Sequence, residues 1–312
     1  MMALLHIFIF PGILFLVLAG FTAEFIDRKL CARFQNRIGP PWFQPVADFI
    51  KLLGKEEASV DEADLTIFKL MPILAFTAAA SAIFSIPLWG NKALSIFPGD
   101  AVVTLYLLTI PTLTYFLGGW YSRSVYSMIG AVRALTQLFA YEVPLLMVVL
   151  AAALFADSWS LSEIVNFYCR HPVYVFSNFL GFVIALIALL GKLEKVPFDI
   201  PEAETEIVAG SFTEYGGKLL AFIRLSLSVE MVVASALLAS VFLPWGLTLH
   251  PVIAFLLTLF KILFIIFLIS LFRSALARLR IDQMISFCWK YLAPAAFVQV
   301  LISLALKGVL PR

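Results

Sequence analysis

Between Lys192 and Lys218 the chain reads KLEKVPFDIPEAETEIVAGSFTEYGGK, and Glu194, Asp199, Glu202, Glu204, Glu206 and Glu214 crowd there between two apolar stretches. Carboxylates close enough to repel one another hold exchangeable protons, because repulsion raises the pKa of at least one of them. Pro197 and Pro201 bracket Asp199 and predict an extended turn, with Pro201 as the first residue of a new helix. On that reading Asp199 and Ile200 sit at the helix cap, Glu202 and Glu204 lie in the first turn, and Glu202 and Glu206 share a face at i,i+4. The plainer reading is a solvated loop whose acids favour a helix N-terminus. It accounts for two of the acids and leaves the rest unexplained.

Two further acids lie inside apolar stretches. Glu142 occurs with Arg133 in IGAVRALTQLFAYEVPLLM, and an ionised group at such depth costs several kcal/mol. The two are nine residues apart, about 13 Å along a helix, which argues against a direct bond within one straight helix. Both are expected to face the bundle or a wet cavity. Pro144 frees the carbonyl of Ala140 one turn earlier. Glu230 follows Arg224 by six residues in LLAFIRLSLSVEMVV, a spacing that puts them on different faces. Glu214 and Lys218 have the spacing of a favourable i,i+4 pair.

The third group is basic. DRKLCARFQNRIGPPWFQPVADFIKLLGKEE carries Arg28, Lys29, Arg33, Arg37 and Lys51, with Asp48 among them. GPPW interrupts the helix, and Pro45 opens a short run bearing Phe49, Ile50, Leu52 and Leu53. With Trp42 and Phe43 that run suits a helix lying in the membrane interface. Its basic residues read either as snorkelling anchors or as the floor of a docking surface or acceptor chamber. Composition alone does not separate the two.

These residues must be positioned by membrane helices. The chain is 62% hydrophobic and only 13% charged, against about 25% in soluble proteins, and its mean hydropathy is +1.00. A bilayer core takes about 20 apolar residues per helix, which gives about eight candidate spans, roughly residues 3–25, 67–89, 101–120, 125–155, 173–192, 213–243, 251–272 and 287–309. The fold class is thus all-α, a polytopic membrane protein with an amphipathic interfacial helix in the first loop, as one domain over residues 1–312. The first span lacks the basic start and small-residue cleavage site of a signal peptide and reads as retained. The odd loops, at residues 27–66 and 192–217 among others, hold nearly all the Lys and Arg. The positive-inside rule therefore puts them in the cytoplasm and both termini outside the cell membrane.

Several functions are disfavoured. A net charge of +2 argues against nucleic acid as a partner. Cys31, Cys169 and Cys288 are scattered without metal-ligand spacing, and His6, His171 and His250 lie near predicted outer ends. No metal, haem or iron–sulfur cluster is expected on this chain. It carries no GxGxxG with a ribose-binding acid, no Walker A and no HExxH. No catalytic residue is assigned.

Four segments, DRKLCARFQNRIGPPWFQPVADFIKLLGKE, AVRALTQLFAYEV, VPFDIPEAETEIVAGSFTEYGGK and ARLRIDQMISFCWKYLAP, resemble in order the signature segments of the family of NuoH-like membrane subunits of respiratory complex I. That family includes the equivalent subunits of energy-converting hydrogenases and related ferredoxin-dependent complexes. The resemblance covers the chain from Asp27 to Pro294. It implies a subunit that anchors a peripheral redox arm and links its terminal reaction site to ion translocation. By match to the family's segments, Glu194, Asp199, Glu202, Glu204 and Glu206 fall on the acidic loop, Glu142 on the acid of the fourth span, and Glu214 with Tyr215 on the start of the sixth. Glu230 is included among the ion-coupling acids. Arg28, Arg33, Arg37, Asp48, Lys51, Arg133, Arg278 and Arg280 would serve arm docking or an acceptor chamber. The implied partners are an iron–sulfur small subunit, a large catalytic subunit, antiporter-like membrane subunits and the lipid bilayer, with the iron–sulfur clusters in the partners.

Three departures shape the reading. IGPPWFQP is compressed where quinone-reducing members carry a longer loop, as in the hydrogenase branch. Ser226 occupies the place of the family's acid in the sixth span, and Glu230 lies one turn further on. Asp27 replaces the usual Glu before Arg28 and Lys29. The sequence therefore points to a coupling subunit of the membrane-bound hydrogenase or sulfane reductase type, without a quinone. The alternatives are a quinone-site subunit of a complex I-type enzyme and, remotely, a stand-alone ion transporter. The last is disfavoured because the chain has no internal repeat.

Overall fold

The computed structural model describes residues 2–57 and 64–309, and every regular element among them is helical. The helices are α1 (Met2–Phe8), α2 (Ile13–Phe34), α3 (Gln44–Leu53), α4 (Leu65–Ala82), α5 (Asp100–Tyr121), α6 (Val125–Ala156), α7 (Leu161–Arg170), α8 (Phe179–Lys192), α9 (Glu204–Ile207), α10 (Gly217–Phe242), α11 (Pro251–Ala275), α12 (Ile281–Phe287) and α13 (Ala293–Val309). Eight stretches are long and apolar enough to cross a bilayer. They coincide with the eight expected from hydropathy, since in lipid a helix must satisfy its own backbone. The ends differ. The first span, Leu4–Phe34, runs well past residue 25, and the last begins at Ile281.

Most of the breaks have a local cause. Pro11 and Gly12 separate α1 from α2. A π turn at Cys288–Leu292 joins α12 to α13 just before Pro294, whose ring lacks the N–H a regular helix needs. Pro45 stands in the first turn of α3, where its missing donor costs nothing. Phe49 of α3 packs on Phe21 of α2 at 5.4 Å between ring centroids, while Ile50 is exposed. That division is the amphipathic helix expected from the sequence.

One helix organises the bundle. α10 packs on α2, α4, α8 and α11, and 94% of its apolar window is buried, against 28% for the first and last spans. A helix apolar on all sides belongs in the interior, and the Ser and Ala residues of α10 let neighbouring backbones approach. The acidic segment then folds back on α6 through small residues. A Cβ on Gly130 of α6 would sit 2.4 Å from the Ser211 nitrogen. Gly210 combines φ of +54° with a contact that would put a Cβ 1.7 Å from the Pro201 oxygen, so only glycine fits.

Pro72 sits inside α4 and leaves the carbonyl of Phe68 without its helical donor. The hydroxyl of Tyr215 donates to that carbonyl at 3.0 Å, and the two rings stack at 4.0 Å with planes 6° apart. Tyr215→Phe should therefore cost about 1–2 kcal/mol of thermal stability. Much of that cost should vanish in a Pro72→Ala background, where the helix regains its donor; unfolding of the single and double variants in detergent measures the coupling.

Candidate functional site

The site is built around Asp27. α2 continues to Phe34, so Asp27 lies inside the helix and is fully buried. One of its carboxylate oxygens accepts from Lys195 at 2.9 Å and from Arg273 at 2.8 Å; the other accepts from Ser270 at 2.8 Å. Three parts of the chain meet there: α2, the segment after α8, and the end of α11. The Leu279 N–H donates to the Pro197 carbonyl at 3.0 Å and fixes the same segment from the far side.

Beside Asp27 lies a polar cavity of about 150 Å³. Its ionisable lining comprises five acids, Glu24, Asp27, Glu194, Asp199 and Glu202, and four bases, Arg28, Lys195, Arg224 and Arg273. Arg224 pairs with Glu202 at 2.9 Å. Arg28 bonds Glu24 and reaches Asp48 of α3 at 3.0 Å, and Asp48 also accepts from Gln44 at 2.8 Å. A wider groove of about 500 Å³ between α2, α3 and α10 includes Asp48 and Lys51 and shares Glu24, Arg28 and Arg224 with the cavity.

Glu194 stands apart from this pairing. It is 7% exposed, and neither of its carboxylate oxygens has a hydrogen-bond partner. Burial pushes its carboxyl well above the ordinary range, reinforced by Glu202, Glu230 and Asp199. An acid in this setting favours the protonated form and can give up its proton when a neighbouring charge changes.

Two acids lie deeper in the bundle. Glu230, wholly buried on α10, is 3.2 Å from Lys192 at the end of α8. Glu230 and Arg224 therefore address different partners, as their spacing predicts. Glu142 on α6 accepts from the Thr109 hydroxyl of α5 at 2.6 Å, and its second oxygen is buried without a partner. Ser226 accepts from the Tyr115 hydroxyl at 3.0 Å.

Other expected residues lie elsewhere. Pro201 does not start a helix; it sits in a turn, and α9 covers only Glu204–Ile207. Glu202 precedes that helix and does not share a face with Glu206. Glu206 instead pairs with Arg133 at 2.6 Å and Arg278 at 3.6 Å. The hydrogen bond from Arg133 holds its carboxyl below the usual range, so the rise expected for at least one acid of this segment does not fall on Glu206. The side chain of Glu204 lies outside the described residues. Glu214 precedes α10, which starts at Gly217, so it has no helical i,i+4 relation to Lys218, and it does not line the cavity. Arg33 and Arg37 are exposed at and beyond the end of α2, and Arg280 caps α12 through its backbone N–H, which donates to Gln283. No group of three or more potential metal ligands occurs among the described residues.

Sequence reasoning used Lys192, Lys195 and Arg273 only to orient the membrane and Asp27 only as a family substitution. The overlooked signal was Glu24 and Asp27 at i,i+3 on one face of a helix that continues beyond its apolar part.

Comparison with known proteins bears on this arrangement. Residues 5–304 match the family model described as NADH dehydrogenase. The H subunit of NADH-quinone oxidoreductase from Bacillus mycoides is 36% identical over 97% of this chain and 95% of its own length. Its counterpart from Dehalococcoides mccartyi is 34% identical over 96% and 86%. Among solved structures, a chain of the membrane-bound sulfane sulfur reductase, an archaeal respiratory membrane complex, superposes with a TM-score of 0.84 at 27% identity, over 93% of this chain and 96% of that one.

Asp27→Asn should strip Lys195 and Arg273 of their shared counter-ion. Both keep some contact with water, so the loss should fall below the ~3–5 kcal/mol of a fully buried broken pair; thermal unfolding of the purified protein reads it. For Glu194 the folded-state pKa lies above the unfolded one, so the folded state binds more protons in between. Stability is unaffected at lower pH and falls as pH rises through that window, by at most about 1.4 kcal/mol per pH unit. Glu194→Gln should flatten that fall; a thermal midpoint that still drops equally on the alkaline side would contradict the assignment.

Proposed function

The chain belongs to the NADH dehydrogenase family of NuoH-like membrane subunits, and from that premise we propose that it couples a peripheral iron–sulfur redox arm to ion translocation across the cell membrane. The observation that carries this reading is Glu194, a buried acid without a partner in a cavity whose other charges are largely paired. Redox turnover next to the cavity changes the local charge. Glu194 answers by taking up or releasing a proton, and Glu230 and Glu142 extend the route into the bundle. Asp199, Glu202 and Glu206 hold the entrance in shape through their neighbours.

The basic residues give the complementary half of the proposal. Arg28, Arg33, Arg37, Lys51, Arg278 and Arg280 form the docking face for the small iron–sulfur subunit and the large catalytic subunit, with exposed Ile38, Trp42 and Phe43 beside them. The asymmetry of Lys and Arg supports a cytoplasmic position for this face and for the acidic loop, with both termini outside. The antiporter-like subunits complete the translocation path. We place the parent complex with the sulfane reductase and hydrogenase type; the compressed GPPWFQP turn and the structural likeness to the sulfane reductase chain support this. The second reading, a quinone-site subunit, is favoured by the groove of about 500 Å³ beside α3 and by the higher identity to quinone-linked relatives.

The parent complex in sealed vesicles tests both. Glu194→Gln and Glu142→Gln keep shape and remove titration, so ions moved per electron should fall about tenfold or more while the complex still assembles. Normal gradients in both variants would reduce the segment to a solvated loop. Quinone analogues should leave turnover unchanged; potent inhibition would move the assignment to the quinone-linked reading.

A further inference from the structure

We propose that Lys192 is a positioning residue of this carboxylate route, and that its pairing with Glu230 decides which of the buried acids carries the charge. The inference rests on the coupling function proposed above and adds to it a residue whose charge is positive.

Lys192 is the last residue of α8 and is 2% exposed. Its ammonium lies 3.2 Å from a Glu230 oxygen, donates to the carbonyl of Leu108, and stands 5.8 Å from the centre of the Tyr141 ring. Leu108 is followed on α5 by Thr109, whose hydroxyl holds Glu142. Lys192 thus sits between two acids of the route, bound to one and adjoining the support of the other.

Glu194, Glu230 and Glu142 each have at least one buried carboxylate oxygen without a hydrogen bond. Glu230 acts electrostatically on Glu194. Lys192 is the cation paired with a member of this set, since Arg224 is engaged by Glu202. Removing an ion from water costs several kcal/mol, so the acid beside the ammonium is the one that stays ionised, and the proposal assigns the route's protons to the other two. A proton passed from Glu194 to Glu230 leaves Glu194 charged and Glu230 neutral. The ammonium keeps its own proton and the Leu108 carbonyl, and its unbalanced charge then favours release of the Glu142 proton onward. Glu230 passes its proton to the vacated Glu142 carboxylate, which restores the Lys192–Glu230 pair. One proton enters at Glu194 and one leaves at Glu142.

A purely structural ion pair is the competing account, and the two predict different double variants. Replacing a buried pair by apolar residues of similar size is often neutral or stabilising. In the parent complex, Lys192→Met should leave Glu230 without its counter-ion, lower the thermal midpoint and cut ions moved per electron by about tenfold or more. Lys192→Met combined with Glu230→Met should recover assembly and thermal midpoint yet remain equally deficient in translocation. If the double variant translocates normally, the pair is structural and the inference is overturned. If neither variant assembles, infrared spectroscopy of the Glu230→Gln complex decides. No carboxylic C=O band should be lost at neutral pH relative to the unmodified complex, and loss of one would show Glu230 protonated at rest and refute the proposal. Normal translocation in Glu194→Gln would instead bring down the coupling function itself, which keeps the two failures apart.

Discussion

A single buried carboxylate sets the geometry of the charged end of this protein. Asp27 has no contact with solvent, and an isolated ion there would be untenable. Lys195, Arg273 and Ser270 converge on it from segments remote in sequence. Satisfying Asp27 therefore fixes where the chain leaves α8 and where α11 ends. The cavity wall, the position of Glu194 and the approach of Leu279 to Pro197 follow from that constraint.

Charge is graded along the bundle. At the periphery Glu206 shares Arg133 and Arg278, with its side chain half exposed, and such pairs contribute little to stability. Around the cavity, Glu202 with Arg224 and Glu24 with Arg28 are partly shielded. In the interior one pair, Lys192 with Glu230, is almost wholly dry. Stability does not require this progression, since apolar residues would serve at the inner end. The coupling route proposed above makes use of it. A proline within a span assists, because Pro72 leaves the carbonyl of Phe68 free to accept from Tyr215.

Much of the scaffold was legible because lipid makes secondary structure local. Twenty apolar residues form a span whatever lies beside them, and Pro45 with Phe49, Ile50 and Leu52 announces α3 without tertiary help. The acidic segment follows other rules. Pro201 and the spacing of Glu202 and Glu206 suggested one helix, but Arg224 and Arg133 draw the two acids in different directions and Gly210 locks the backbone against Pro201. Those partners are distant in sequence, so spacing within the loop carried no information about them. Asp27 was obscured for the same reason. Its neighbours Arg28 and Lys29 mark a membrane boundary, yet the helix runs a further two turns with the carboxylate turned inward.

The separation of these partners also orders the birth of the molecule. Asp27 is synthesised 168 residues before Lys195 and 246 before Arg273. While the first span waits in the membrane, its carboxylate has neither cation and must remain at the water boundary or carry a proton. The sixth span, α10, has then to slot between helices already inserted before the seventh can deliver Arg273. Completion of the charged end is thus tied to nearly the last events of translation. A chain truncated before α11 would hold Asp27 by Lys195 alone, without Ser270 and Arg273, and its charged end would be left half built.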